Sequence, residues 1–189
     1  MKGLARSIGL CWRHGLALFV LALCWGAAPA HAQLTPTFTA IADQPLQYGK
    51  VVTSGGGSIT IGPDGSISEN GVVPVSGLSS TPAAYTLTYT KGLTGLLTTE
   101  LIIQITLVAP SGAKTGAISG TLSGFTTDLP GYSQIQPGQT LTYTLYNCFT
   151  PTCAVTFHIG GTLNIATSGG GGTLTFPLVV MATVTQALL

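Results

Sequence analysis

Few side chains in this sequence have the type and spacing to do chemistry. Cys148 and Cys153 stand five positions apart around Pro151, between two segments with the alternation of strands. In an oxidising compartment that arrangement predicts a disulfide pinning a short loop. Zinc would need two further ligands, and His158 offers at most one. A redox-active pair normally has two intervening residues at a helix N-terminus, whereas four lie here. In Val155-Thr156-Phe157-His158-Ile159 the histidine shares a face with Thr156, opposite the apolar residues, and reads as a solvated strand residue. Asp43, Asp64, Glu69, Glu100 and Asp128 are isolated along the chain, and no local signal pairs them as a glycosidase requires. Gly116-Ala117-Ile118-Ser119-Gly120 and Gly120-Thr121-Leu122-Ser123-Gly124 have the wrong spacing for a nucleophile elbow. Pro63-Asp64-Gly65 suits a turn, with Pro presetting φ and Gly taking positive φ; a calcium loop would need more oxygen ligands. No catalytic, cofactor-binding or metal-binding residue is assigned, and the expected class is non-enzymatic.

The elements that position these residues begin after an address segment. Lys2, Arg6 and Arg13 precede an apolar run from Leu16 to Trp25, and Ala30-His31-Ala32 gives a small-x-small cleavage pattern. The run is too short to span a bilayer comfortably, and Leu23 before Cys24 is large for a lipid-attachment site. Residues 1–32 therefore read as a cleaved signal peptide, and the protein as exported to the periplasm, cell surface or extracellular space. Removal of these 32 residues from 189 leaves 157, with Lys50, Lys91 and Lys114 facing five carboxylates, a formal charge of −2. Both tryptophans leave with the leader. Three scattered lysines supply no basic stripe, which excludes nucleic acid, and contact with a membrane is expected only during export. Without tryptophan, a sugar platform would have to come from Tyr48, Tyr85, Tyr89, Tyr132, Tyr143 or Tyr146, which fit better as core or cross-strand residues.

Period two dominates the remainder. Tyr85 to Thr90 and Thr140 to Tyr146 alternate large apolar residues with threonine. Further strands are expected at Gln47 to Thr53, Ser58 to Ile61, Ser66 to Glu69, Val72 to Ser76, Glu100 to Val108, Ala117 to Leu122, Ala154 to Ile159, Thr162 to Ala166 and Thr173 to Thr185. Ser54 to Ser58 reads as a flexible connector, and Ser168 to Gly172 as a hairpin tip. About ten strands in residues 46–189 predict one all-β domain, an antiparallel immunoglobulin-like β-sandwich. Its expected core is Ile59, Ile61, Tyr85, Leu87, Tyr89, Leu101, Ile103, Ile105, Leu107, Leu141, Tyr143, Leu145, Val155, Phe157 and Ile159. Residues 33–45 are an N-terminal extension or a first strand. As an extension they could complete a neighbouring subunit's sheet through Leu34, Phe38 and Ile41, so that self-association or other surface subunits are the candidate partners. The competing architecture is a small eight-stranded outer-membrane barrel, disfavoured by the missing aromatic girdles.

Two segments carry a family resemblance. Ser58-Ile59-Thr60-Ile61-Gly62-Pro63-Asp64-Gly65-Ser66 with Gly71-Val72-Val73, and Phe157-His158-Ile159-Gly160-Gly161-Thr162-Leu163-Asn164-Ile165, resemble the secreted bacterial family called domain of unknown function 4402. The resemblance runs from about Tyr48 to Val184. It implies a surface or fimbria-like role and brings no catalytic residues or cofactor.

Overall fold

Alternation of apolar residues and threonine resolves into two antiparallel sheets in the structure, a computed structural model that describes residues 35–75 and 80–189. The leader and Leu34 lie outside the described residues. Strands β1 (Thr37–Gln44), β2 (Val51–Val52), β3 (Gly56–Ile61), β4 (Ile67–Asn70), β5 (Val73–Pro74) and β6 (Ala83–Thr90) come first. A 3-10 turn, Leu93–Gly95, precedes β7 (Glu100–Val108), β8 (Gly112–Thr115), β9 (Ile118–Thr127), β10 (Thr140–Leu145), β11 (Thr152–Thr167) and β12 (Val179–Leu188). The larger sheet runs β1-β6-β11-β3-β4, with β9 also on β11 and β8 on β9; β10-β7-β12 forms the smaller, and β2 and β5 pair as a short ribbon.

Strand register separates core from solvent row by row. Tyr85 lies between Ala42 and Phe157, Leu87 between Ala40 and Val155, and Tyr89 between Phe38 and Cys153. One residue along, Thr86 lies between Ile41 and Thr156, and Thr88 between Thr39 and Ala154. In the first set the β6 and β11 residues and Phe38 pack into a core shared with Leu101, Ile103, Ile105 and Leu107 of β7, while Ala40 and Ala42 at the sheet edge stay exposed; the second set faces outward. A branched Cβ suits threonine to a pleated surface, and its hydroxyls bond in pairs there, as in Thr86–Thr156 at 2.8 Å. The all-β sandwich-like arrangement follows from this alternation.

Of the expected core, Tyr143, Leu145 and Val155 are only half-buried, and the others are buried. Tyr143 and Leu145 belong to β10, an edge strand with a neighbour on one side only. Phe125, Leu129 and Ile135 are core residues outside the expected strands. They enter because β9 continues to Thr127 through Gly124, whose φ of 57° permits a bulge opposite Gly160 and Thr162.

Several sequence expectations are corrected. The two strands expected on either side of Gly160 are one sixteen-residue strand, β11, whose first half pairs β6 and whose second half lies between β3 and β9. Ser168 to Gly172 is no hairpin tip, because β11 and β12 lie in different sheets and these glycines carry the chain between them. The last strand begins at Val179 instead of Thr173, beyond Pro177, which has no N–H to give a ladder. Gly56 and Gly57 belong to β3 and are no loose connector. Of Gln47 to Thr53, only Val51–Val52 is strand.

Candidate functional site: two restrained ends of the sandwich

The Pro63-Asp64-Gly65 segment is the turn of the β3–β4 hairpin. The Gly65 N–H donates to the Gly62 carbonyl at 3.0 Å, the Gly62 N–H to the Ser66 carbonyl at 2.7 Å, and Gly65 has φ of 80°. Asp64 Oδ1 accepts from the Ser66 hydroxyl at 2.6 Å and from its N–H at 3.0 Å. These bonds from Ser66 hold the Asp64 carboxyl below its usual range. Every oxygen lone pair engaged here restrains the turn, and the described residues contain no group of three metal-ligating side chains.

The hairpin meets the second glycine motif directly. Gly161 pairs with Ile61. A Cβ on Gly160 would come within 2.1 Å of the Ile61 carbonyl oxygen and 2.7 Å of the Gly62 carbonyl carbon. Only glycine fits, because both obstacles are backbone. Gly57 is as restricted, its Cβ position lying 2.4 Å from the Asn70 carbonyl oxygen. The motifs that carry the family resemblance are therefore the two sides of one backbone contact.

The other restrained end is built around the disulfide. Cys148 and Cys153 are bonded, with Cα atoms 5.6 Å apart, and both are buried. The chain enters through Asn147 in the left-handed region, φ 60°, a conformation asparagine tolerates better than most residues. The Cys148 N–H donates to the Thr99 carbonyl and the Lys91 N–H to the Pro151 carbonyl, both at 2.8 Å. The Lys91 side chain is buried and donates from Nζ to the Cys148 carbonyl. The 3-10 turn is fixed in the same cluster, with the Thr98 N–H bonded to the Gly95 carbonyl at 3.0 Å and Gly95 buried close to the Tyr89 hydroxyl.

Large apolar side chains stand outside this scaffold. Leu93, Leu96 and Leu97 are 53%, 57% and 74% exposed, Phe149 is 72% exposed and Tyr146 61%. Sequence reading missed this grouping. Its signal was three leucines within five residues in a segment without period-two alternation, hence without a strand face to bury them.

The remaining candidate residues are dispersed. Phe38 and Ile41 lie on β1, which pairs β6 of the same chain; Phe38 packs on the core and Ile41 is exposed on the opposite face. His158 is clasped by a carboxylate that the sequence left isolated. Asp128 Oδ1 accepts the His158 backbone N–H at 2.5 Å, and Oδ2 lies 2.7 Å from Nδ1. Asp128 thus occupies the edge of β11 where β9 departs. Of the six tyrosines, Tyr132, Tyr143 and Tyr146 border a shallow groove of about 480 Å³ beside β10, where the Tyr132 hydroxyl donates to the Thr142 carbonyl at 2.6 Å. Tyr48 is instead internal: its hydroxyl is buried with no partner among the described residues, and burial pushes its ionisation well above the usual tyrosine range.

Fold and surfaces together define an all-β sandwich-like domain with a glycine-locked contact at the middle of β11 and a disulfide-locked loop at its start. The chain belongs to the family described as Domain of unknown function (DUF4402), whose model matches residues 38–181 and so includes both glycine motifs and the disulfide. No curated protein and no solved structure matches it.

Proposed function

We propose that the protein is an exported, non-enzymatic structural or adhesive surface module, a fimbria-like subunit. The observation that carries this reading is the position of β1. This strand begins within five residues of the expected cleavage site, lies at the edge of the larger sheet, and has its only ladder with β6 while resting against β12. Its inward residues Ala40 and Ala42 remain exposed, so Phe38 is its main anchor in the core. A peripheral strand with one ladder and one anchor is the element that neighbouring subunits exchange by strand addition. Leu34 would then enter the neighbour's sheet beside Phe38, whereas Ile41, on the opposite face of β1, would stay outside it. The threonine rows on the outer faces weigh against an outer-membrane barrel, whose lipid-facing side must be apolar.

A paired-cysteine experiment tests the exchange. Thr39 and Thr88 are register partners on the outer face. The double variant Thr39→Cys, Thr88→Cys, exported and run on a non-reducing gel, gives a ladder of linked chains if β1 is donated between subunits. A monomer band alone removes strand exchange.

A further inference from the structure

From the apolar surface at the disulfide end we infer that this protein forms a closed dimer, two copies meeting tip to tip through Leu93, Leu96, Leu97, Tyr146 and Phe149. Three observations carry the inference. The first is that the two segments carrying these side chains are tied to one another. Residues 92–99 and 146–152 are stitched by the Cys148–Thr99 and Lys91–Pro151 backbone bonds, by Lys91 Nζ on the Cys148 carbonyl, and by the disulfide. Side chains that serve only as loop solubilisers would be polar, and a floppy loop would fold its leucines inward; this scaffold holds them out. Preorganisation of this kind lowers the ordering entropy lost on association.

The second observation is extent. At these exposures the five side chains present on the order of 500 Å² of apolar surface. That is the size of the largest, usually functional, patch on a monomer, about 300–600 Å². With a polar rim of Asn147, Thr150 and Thr152, it would supply most of the roughly 800 Å² that each partner contributes to a standard interface.

The third observation is charge, which selects the occupant. Glu100 is the only side chain of residues 92–100 and 146–152 that carries a charge at neutral pH. Lys91 is buried against a carbonyl and offers nothing to a phosphate. Membrane-seated apolar loops are normally ringed by Lys or Arg, and an anionic surface would repel Glu100. A second copy brings an equally neutral, equally apolar tip, and a two-fold axis makes one patch its own complement. The arrangement is closed, unlike the open chain that strand exchange would generate, and it does not depend on that exchange.

Sedimentation equilibrium of the exported protein over about 1–100 µM, in the range typical of weak self-association, tests the proposal. The wild type should show a monomer–dimer equilibrium. Leu97→Asp and Phe149→Asp should each weaken dimerisation at least tenfold, the expected loss for a central apolar contact. Ile67→Asp, at an exposed position of β4 away from both the tip and β1, should leave it unchanged. Circular dichroism at 215 nm verifies that each variant is folded, and Leu97→Ser substitutes for any that is not. A wild type that stays monomeric, or tip variants that dimerise like it, overturns the proposal. So does monomeric wild type that co-sediments with phosphatidylcholine vesicles, which would assign the tip to a membrane. If the tip variants lose the dimer while the Thr39→Cys, Thr88→Cys pair still gives a monomer band, tip pairing stands and strand exchange falls.

Discussion

The hairpin end and the disulfide end restrain the chain by different means, and the contrast separates folding from display. At the hairpin end the restraint is an absence of atoms: Gly160 and Gly57 let backbones approach to distances at which any Cβ would collide. Nothing large and apolar projects from the turn itself, whose hydrogen bonds are all internal. At the disulfide end the restraint is covalent and polar, supplied by Cys148–Cys153 and Lys91, and the leucines and Phe149 it supports face outward. The first end spends its residues on closing the fold. The second holds a surface open.

The largest expected effect is at the first end. Gly160→Ala must displace the Ile61–Gly62 backbone, because neither obstacle is a side chain that can rotate away. We expect a loss of roughly 3 kcal/mol or failure to fold, read by urea denaturation. Next, reduction of the disulfide, or Cys148→Ser with Cys153→Ser, should cost about 2 kcal/mol for so short a loop and should leave the β-sheet signal intact below the transition. A double variant as unstable as Gly160→Ala would place the disulfide end in the folding machinery and break the contrast.

Two smaller effects depend on pH. Tyr48 is held neutral by burial, so its folded ionisation lies above its unfolded value near 10. The stability tied to that neutral hydroxyl is complete below pH 10 and is lost as pH rises beyond it. Tyr85 and Tyr143, raised by the same cause, add to the alkaline decline. Tyr48→Phe removes a buried hydroxyl without a partner; it should leave the melting temperature at pH 7 equal or higher and reduce the fall between pH 9 and 11. The smallest effect is at Asp64. Its carboxyl is favoured in the charged form by Ser66, so its contribution is present above the unfolded carboxylate value and disappears as pH falls through the folded one. Asp64→Ala should therefore melt slightly below wild type at pH 7 and together with it in strong acid.

What was legible in the sequence follows from which forces are local. Period-two alternation placed Tyr85, Leu87 and Tyr89 on one face and the threonines on the other, because side-chain direction in a strand depends only on parity. The turn at Pro63-Asp64-Gly65 was equally readable, since proline and glycine fix φ without outside help. The disulfide spacing was readable from the same short segment. Pairing across the chain was not. Gly160-Gly161 looked like a break between strands, and only the backbone of Ile61 and Gly62 makes it the middle of one. Asp128 and His158 are thirty residues apart and meet because β9 leaves β11 at that point. The apolar tip was hidden for the opposite reason: its leucines carry no periodic signal, and exposure is a property of the assembled end.

The account rests on the claim that the glycine motifs build the fold while the disulfide end displays a surface. Equilibrium urea unfolding of Gly160→Ala beside Phe149→Asp, followed by circular dichroism at a concentration low enough to keep the chain monomeric, tests it most directly. The predicted result is a loss of roughly 3 kcal/mol for the first and a change within about 0.5 kcal/mol for the second. Comparable losses in both, or a stable Gly160→Ala, would contradict it.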